Sequence, residues 1–493
     1  MNRRDFLGAA AMGALLTSCA GLTPPPTAKI RKPKQNFLFI LVDDLGWRDL
    51  GCFGSSFYET PHIDRLAREG MRFTDAYAAC PVCSPTRASI MTGKYPARMA
   101  TTDWFGAPQP ETAHQHKTGT KPLLPAPYVD QLPRDEITIA EALKMSGYNT
   151  FFTGKWHLGG KDHYPEDQGF EHNRGGFEKG SPKSYFSPYN NPKLKDGPEG
   201  EHLPDRLARE SVQFLEDNGN HPFLLFLSFY SVHTPLQGRK DLIEKYEAKA
   251  KQVTHEGPEF IPEGEHQARQ VQNHAVYAAM VEAMDAAVGT VLDGLARLGL
   301  ANTTTVIFMS DNGGLSTAEG APTSNVPLRA GKGWLYEGGI REPLIVKCPG
   351  VTAPGSECRH PVTSTDFYPT LLELAGLPPR PEQHRDAVSF APLLRDETLP
   401  KDRPLFWHYP HYGNQGAFPG AAVRLGAYKL IEFFEDGHLE LYNLRDDPGE
   451  QCNLINEAPN YAEPMIDMLH AWQREVGARF PTPNPNAAAK PGE

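Results

Sequence analysis

Phe37-Leu38-Phe39-Ile40-Leu41-Val42-Asp43-Asp44 decides how this chain folds: six apolar residues in a row run straight into two carboxylates. An unbroken apolar run of that length reads as a strand buried on both faces, the kind found in parallel sheets covered by helices. The pattern recurs far downstream, where Thr305-Val306-Ile307-Phe308-Met309 runs into Ser310-Asp311-Asn312-Gly313-Gly314. Both runs place acidic or amide oxygens at the carboxyl end of a buried strand, where open α/β sheets bind ligands.

Between and around these runs, apolar strands alternate with helix-period segments. Residues 148–153 and 223–230 read as strands; 61–70, 136–147, 203–217, 266–298 and 366–376 read as helices. The expected fold is α/β, a large, mostly parallel sheet flanked by helices on both faces. Three polar, Pro-rich stretches (101–134, 161–201 and 237–264) lack sustained periodicity and are expected to frame a pocket. After residue 395 the character changes. Short strand-like runs at 406–409, 421–425, 428–434 and 439–444, then a helical 461–476, predict a smaller C-terminal domain of antiparallel sheet plus helix over 396–480. The low-complexity 481–493 is expected to be disordered.

At 493 residues the chain suffices for one large domain and a smaller one. A formal net charge of −11 argues against a nucleic-acid partner, whose phosphates require a basic face. It does not forbid a small anionic substrate, because a local cationic pocket dominates its own field. Residues 1–20 read as an export address. Asn2-Arg3-Arg4-Asp5-Phe6-Leu7 resembles a twin-arginine signal, and Leu16-Thr17-Ser18-Cys19 resembles a lipobox that would lipidate Cys19. Residues 21–35 read as a tether. The expectation is an exported protein, periplasmic or at the cell surface, that meets export machinery and touches a membrane only through that anchor. Of the seven cysteines, Cys348 and Cys358 flank a Pro/Gly turn and are candidates to pair, with connectivity open.

The carboxylates Asp43, Asp44 and Asp311 with the amide of Asn312 make a hard oxygen cage suited to Ca²⁺ or Mg²⁺ and not to a thiophilic metal, with Ca²⁺ the expected ion. Either strand end alone would read as ordinary helix capping. A third motif tips the balance: Cys83-Ser84-Pro85-Thr86-Arg87, continuing Ala88-Ser89-Ile90-Met91-Thr92-Gly93. Pro85 suits the first turn of a helix, placing Cys83 at a helix N-terminus, where backbone donors favour an anion. Arg87 follows one turn later, on the same face.

That motif resembles the signature of the formylglycine-dependent sulfatases, of alkaline-phosphatase-like fold. Gly154-Lys155-Trp156-His157, Ser231-Val232-His233-Thr234-Pro235 and the segment around Lys332 match further motifs of the family, so the resemblance spans nearly the whole chain. It implies that 36–395 is the catalytic domain and that a maturation enzyme converts Cys83 to 3-oxoalanine, formylglycine. It also implies a metal held by Asp43, Asp44, residue 83, Asp311 and Asn312. Lys155, His233 and Lys332 then hold the sulfate and Arg87 orients the hydrated residue 83, with His157 as the base that releases sulfate and His233 or Lys332 as the proton source for the departing alcohol. The implied substrate is a sulfated carbohydrate, with galactose or N-acetylgalactosamine units the best match. His411, Asn414 and Gln415, in a segment rich in aromatic and amide side chains, are candidates to contact the sugar. Two alternatives stay open: a phosphodiesterase or phosphonate monoester hydrolase of the same superfamily, and an inactive surface glycan-binding lipoprotein.

Overall fold

The computed structural model describes residues 35–400 and 402–487; the expected signal, most of the tether and Cys19 lie outside these residues. Eight strands form the spine: β1 (Asn36–Val42), β2 (Met71–Tyr77), β3 (Asn149–Gly154), β4 (His172–Arg174), β5 (Phe223–Ser228), β6 (Thr304–Ser310), β7 (Arg341–Lys347) and β8 (Ser356–Cys358). They lie in the order β8-β2-β7-β6-β1-β5-β3-β4, with Val362–Thr363 adding a ninth strand beside β2. β7 runs antiparallel to both neighbours and all the other pairings are parallel.

The central strands are unbroken apolar runs because helices cover both faces. Alternate residues of β1 separate cleanly. Leu38, Ile40 and Val42 join one core with α1 (Pro61–Glu69), α2 (Leu203–Asn218) and the long α3 (Ala275–Arg297). Phe37, Phe39 and Leu41 join the other, with the helices Cys83–Thr92, Ile139–Lys144 and Phe367–Leu374. Each fully buried side chain of this size contributes about 1.5–3 kcal/mol. Phe39, wedged between Phe226 and Phe367 at ring separations of 4.7 and 5.0 Å, is one whose truncation would cost about 3–5 kcal/mol.

The C-terminal sheet is a four-stranded antiparallel meander, Leu405–Tyr409, Gly420–Leu425, Tyr428–Phe433 and Leu439–Asn443, backed by the helix Pro459–Val476. Its buried Lys429 reaches Glu337 at 3.0 Å and Glu450 at 2.7 Å, which ties the sheet to the segment that follows Lys332.

The structure departs from the sequence reading in four places. The long helix starts at Ala275, not residue 266: Phe260–Glu263 and His266–Arg269 pair as a hairpin, and His274 Nδ1 caps the helix by accepting from the Tyr277 amide. The stretch 237–264 contains a helix, Lys240–Ala250, seated on the protein body through Tyr246. In the tail expected to be disordered, Thr482–Pro483 pairs with Leu123–Leu124, and the Asn484 amide donates to the Gly119 and Lys121 carbonyls. Backbone pairing and one amide side chain hold residues 482–484 against 119–124, a signal that composition does not carry; residues 488–493 lie outside the described residues. Finally, Cys348 and Cys358 are both free; Cys348 is buried and accepts from the Thr305 hydroxyl.

Candidate active site

Strand register assembles the site. Val42 stands opposite Ser310, Leu41 opposite Ser228, and Gly154 opposite Ser228 on its other side. The residues that follow β1, β6, β3 and β5 therefore emerge side by side: Asp43 and Asp44, Asp311 and Asn312, Lys155 and His157, then His233. Asp44 and His157 hold left-handed backbone angles, with φ of 60° and 54°. Such conformations persist in non-glycine residues only where the surroundings impose them, and both fall in the site.

Oxygens of Asp43, Asp44 and Asp311 lie within 4.8 Å of one another, fully buried. Arg87 braces them. Its Nε donates to Asp311 Oδ2 at 2.8 Å, and its Nη1 donates to the Lys155 carbonyl at 2.8 Å and to Ser228 Oγ at 2.7 Å. Lys155 Nζ donates to Asp43 Oδ2 at 2.6 Å; Lys332 Nζ lies 2.8 and 2.9 Å from the two Asp44 oxygens. Asn312 donates its amide to Asp44 Oδ1 at 2.8 Å. Two buried acceptors, Asp43 Oδ1 and Asn312 Oδ1, have no donor. Orphaned oxygens beside three carboxylates are what a bound divalent cation would satisfy.

The charges say the same. Burial raises both neighbouring aspartates, but Lys332, His233 and Lys155 together hold Asp44 well below the usual carboxylate range. Asp43 is pushed well above it: burial dominates, Lys155 offsets only part, and Asp311 and Asp44 add repulsion. A cation in this cage would supply the missing positive charge.

Cys83 begins the helix Cys83–Thr92, as the Pro85 position predicts. Its Sγ lies 3.3 Å from His157 Nδ1, while His157 Nε2 lies 3.1 Å from the Phe105 carbonyl. A carbonyl only accepts, so Nε2 carries the proton and Nδ1 offers its lone pair to position 83. Gly180 makes room for this ring: a Cβ there would come within 2.4–2.8 Å of the imidazole atoms. Burial pushes the Cys83 thiol up despite Lys155 and Lys332. His233 donates from Nδ1 to the Thr234 carbonyl at 2.8 Å and sets Nε2 3.7 Å from Asp44 Oδ2.

These groups close the floor of a cleft of about 650 Å³, lined by Cys83, His157, His233 and Lys332 at depth and by Trp104, Glu319, Asn414 and Gln415 further out. The structure thus brings the expected catalytic residues to one site with Asp43, Asp44, Asp311 and Asn312; Cys83, also expected among the metal ligands, is not in the group of atoms within 4.8 Å of one another, its Sγ standing against His157. Of the three expected sugar contacts, Asn414 and Gln415 line the cleft and His411 does not. It is buried behind the wall, 2.9 Å from Thr102 Oγ1 and 3.6 Å from Asp103 Oδ2, edge-on to the rings of Tyr128 and Tyr409. Sequence reading missed Ser228, Trp104 and Glu319. Trp104 was findable, being a large aromatic in a Pro-rich insertion. Glu319 sits in an aperiodic loop with no such signal. A roomier cleft of about 950 Å³ elsewhere holds none of this chemistry; its Arg341 and Arg424 are engaged by Asp75.

A buried carboxylate cage, Cys83 at the start of a helix nearby and two lysines facing the cage make a site suited to an anionic ligand. The family model described as Sulfatase matches residues 35–377, and one described as N-sulphoglucosamine sulphohydrolase, C-terminal, matches 330–475. A sulfatase of Formosa agariphila is 35% identical over 92% of this chain and 91% of its own length. The N-acetylgalactosamine-6-sulfatase of Homo sapiens is 32% identical over 90% and 81%. Among solved structures, Ps i-CgsB in complex with k-i-k-neocarrahexaose superposes with a TM-score of 0.73 at 28% identity, covering 93% of this chain and 95% of that one. The chain belongs to the sulfatase family. It is a sulfuric ester hydrolase, and the reading as an inactive glycan-binding lipoprotein is set aside.

Proposed function

We propose that this enzyme removes sulfate from a galactose- or N-acetylgalactosamine-containing saccharide, using a formylglycine formed from Cys83 and a bound Ca²⁺. The observation that carries the reading is the placement of Cys83 Sγ 3.3 Å from His157 Nδ1, with both residues lining the cleft beside Lys332. Similarity to N-acetylgalactosamine-6-sulfatase and the amides of Asn414 and Gln415 in the cleft wall support the sugar class.

Asp43, Asp44, Asp311, Asn312 and residue 83 would hold the cation, whose charge offsets that of the sulfate and of its attacker. The aldehyde, once formed and hydrated, would supply an oxygen nucleophile with a second hydroxyl on the same carbon, chemistry that serine lacks. The rest falls to this chain's own side chains. Lys155 and Lys332 draw the sulfate to the cleft floor, where low dielectric strengthens their attraction. Arg87 fixes Asp311 and, through Ser228, the turn carrying Lys155. His157 Nδ1 takes the proton from position 83, and His233 or Lys332 gives one to the departing alcohol.

A panel of 4-O- and 6-O-sulfated galactose and N-acetylgalactosamine saccharides, assayed beside matched phosphate esters, tests the reading. Release of sulfate from at least one saccharide is expected. Silence on all of them removes the substrate assignment, and preferred phosphate release would favour the phosphodiesterase or phosphonate hydrolase alternative. The N-terminal motifs support export and anchoring at Cys19. Membrane fractionation should find the wild type bound and Cys19→Ala released; wild type in the soluble fraction would contradict anchoring.

A further inference from the structure

We infer that the cleft selects a substrate whose only anionic group is the sulfate to be removed, the rest being a neutral hydroxylated ring. This rests on the sulfatase reading and narrows it. The cleft has two electrostatic zones. At its floor Lys155, Lys332 and Arg87 each pair with a cage carboxylate, so three cations balance three aspartates, and a cation held there would leave this buried zone net positive, where one sulfate sits. Further out the balance is acidic. Asp130, Glu178 and Glu319 line the cleft, with Lys179 as the one outer lysine against three carboxylates.

Asp130 is exposed, whereas Glu319 and Glu178 are half-buried and held by neighbours. Glu319 takes a left-handed turn, φ 55°, and its Oε1 accepts from Asn414 at 2.9 Å and Gln415 at 2.8 Å. Its Oε2 accepts from Thr234 Oγ1 at 3.3 Å, next to His233. The Glu178 carboxylate accepts from the Tyr164 hydroxyl at 3.3 Å and lies two residues before Gly180, which makes room for His157. A carboxylate has more acceptor sites than these bonds fill, so each can still receive a sugar hydroxyl. A second sulfate or a carboxylate at the same place would meet like charge in a partly desolvated wall.

The wall also carries one exposed apolar plane. The Trp104 side chain is more than one-third exposed in the cleft. Its loop is pinned: the Asp103 carboxylate accepts from the Trp104 amide at 2.8 Å and from the Tyr409 hydroxyl at 3.2 Å, and Tyr128 donates to the Trp104 carbonyl at 3.3 Å. An exposed indole beside hydrogen-bonding carboxylates matches a pyranose, which has an apolar face and a hydroxyl rim. The buried His411 joins the same support through Asp103, so its part is to position Trp104 and not to touch sugar.

The test measures kcat/KM on a monosulfated disaccharide and on the same disaccharide bearing a second sulfate on the neighbouring ring. Wild type, Glu319→Gln and Glu178→Gln are compared at low and high salt. The monosulfated compound should be preferred by about tenfold or more, chiefly through KM, with screening by salt narrowing the gap. Each carboxamide variant should narrow it severalfold while the monosulfated rate moves less. Equal efficiency of wild type on both compounds, or a preference that neither variant nor salt moves, overturns the inference and leaves the sulfatase reading standing. Hydrolysis of an aryl sulfate with neither disaccharide turned over also overturns it. Failure on all three esters would remove the activity on which it rests, and the inference with it.

Discussion

Replacing His157 by alanine separates its proposed role from a structural one. The imidazole touches two things: position 83 through Nδ1 at 3.3 Å and the Phe105 carbonyl through Nε2 at 3.1 Å. Losing the second contact strands a buried carbonyl, a cost of about 1–3 kcal/mol in stability. A 493-residue fold whose sheet is covered on both faces should absorb that without unfolding. Losing the first removes a positioned base, typically worth about 10²–10⁴ in rate, or about 3–5 kcal/mol of barrier at 1.36 kcal/mol per decade. If His157 acts in releasing sulfate from residue 83, attack survives and release stalls. Steady-state kcat should then fall by that factor while the first turnover still yields one alcohol per converted enzyme. The assay is a rapid-mix burst with a chromogenic sulfate ester, on protein whose residue-83 conversion has been measured by mass. A steady-state loss of less than about threefold would refute the role, and so would loss of the burst together with turnover.

Other perturbations follow from the same geometry. Chelation should lower Tm by several degrees, reversed by added Ca²⁺, because a cation at about 100 times its Kd stabilises by about 2.7 kcal/mol; an unchanged melting curve would mean that the cage holds no cation. Arg87→Met leaves Asp311 without its buried guanidinium and should destabilise by about 3–5 kcal/mol, read by urea unfolding; a change under 1 kcal/mol would show the pair to be expendable. His408, buried and donating to the Arg479 carbonyl, is lowered to about 4, chiefly by burial. Its folded value lies below its unfolded one, so its stability contribution is present above pH 6.5 and is lost as pH falls from there toward 4, at about 1.4 kcal/mol per pH unit. His408→Gln should therefore flatten the decline in unfolding free energy between pH 6.5 and 5; parallel curves would contradict the assignment.

The parts legible in the sequence are those fixed by short-range pattern. The apolar runs 37–42 and 305–309 announced central strands, and their polar ends announced the cage, because a parallel sheet brings consecutive strand ends to one edge. Pro85 announced a helix starting at Cys83. What stayed hidden depends on long-range contact. β2 and β7 are interrupted by charged residues such as Arg72, Asp75 and Glu342, and become strands by pairing with each other and with β8 and β6 on their other sides. The start of α3 was misread because 266–269 carries no strand periodicity and takes its hairpin from residues 260–263. His411 looked like a sugar contact beside Asn414 and Gln415, yet Tyr128 from the insertion buries it. Glu319 was invisible because its role comes from where Thr234, Asn414 and Gln415 meet in space.

The central claim is that residue 83, once oxidised, is the nucleophile. Preparations with different converted fractions, scored as the residue-83 peptide about 18 Da lighter than its thiol form, should be compared for initial rate of sulfate release. Rate per mole should rise in proportion to the converted fraction and extrapolate to zero for the pure thiol. An unconverted preparation as active as a converted one would contradict the account.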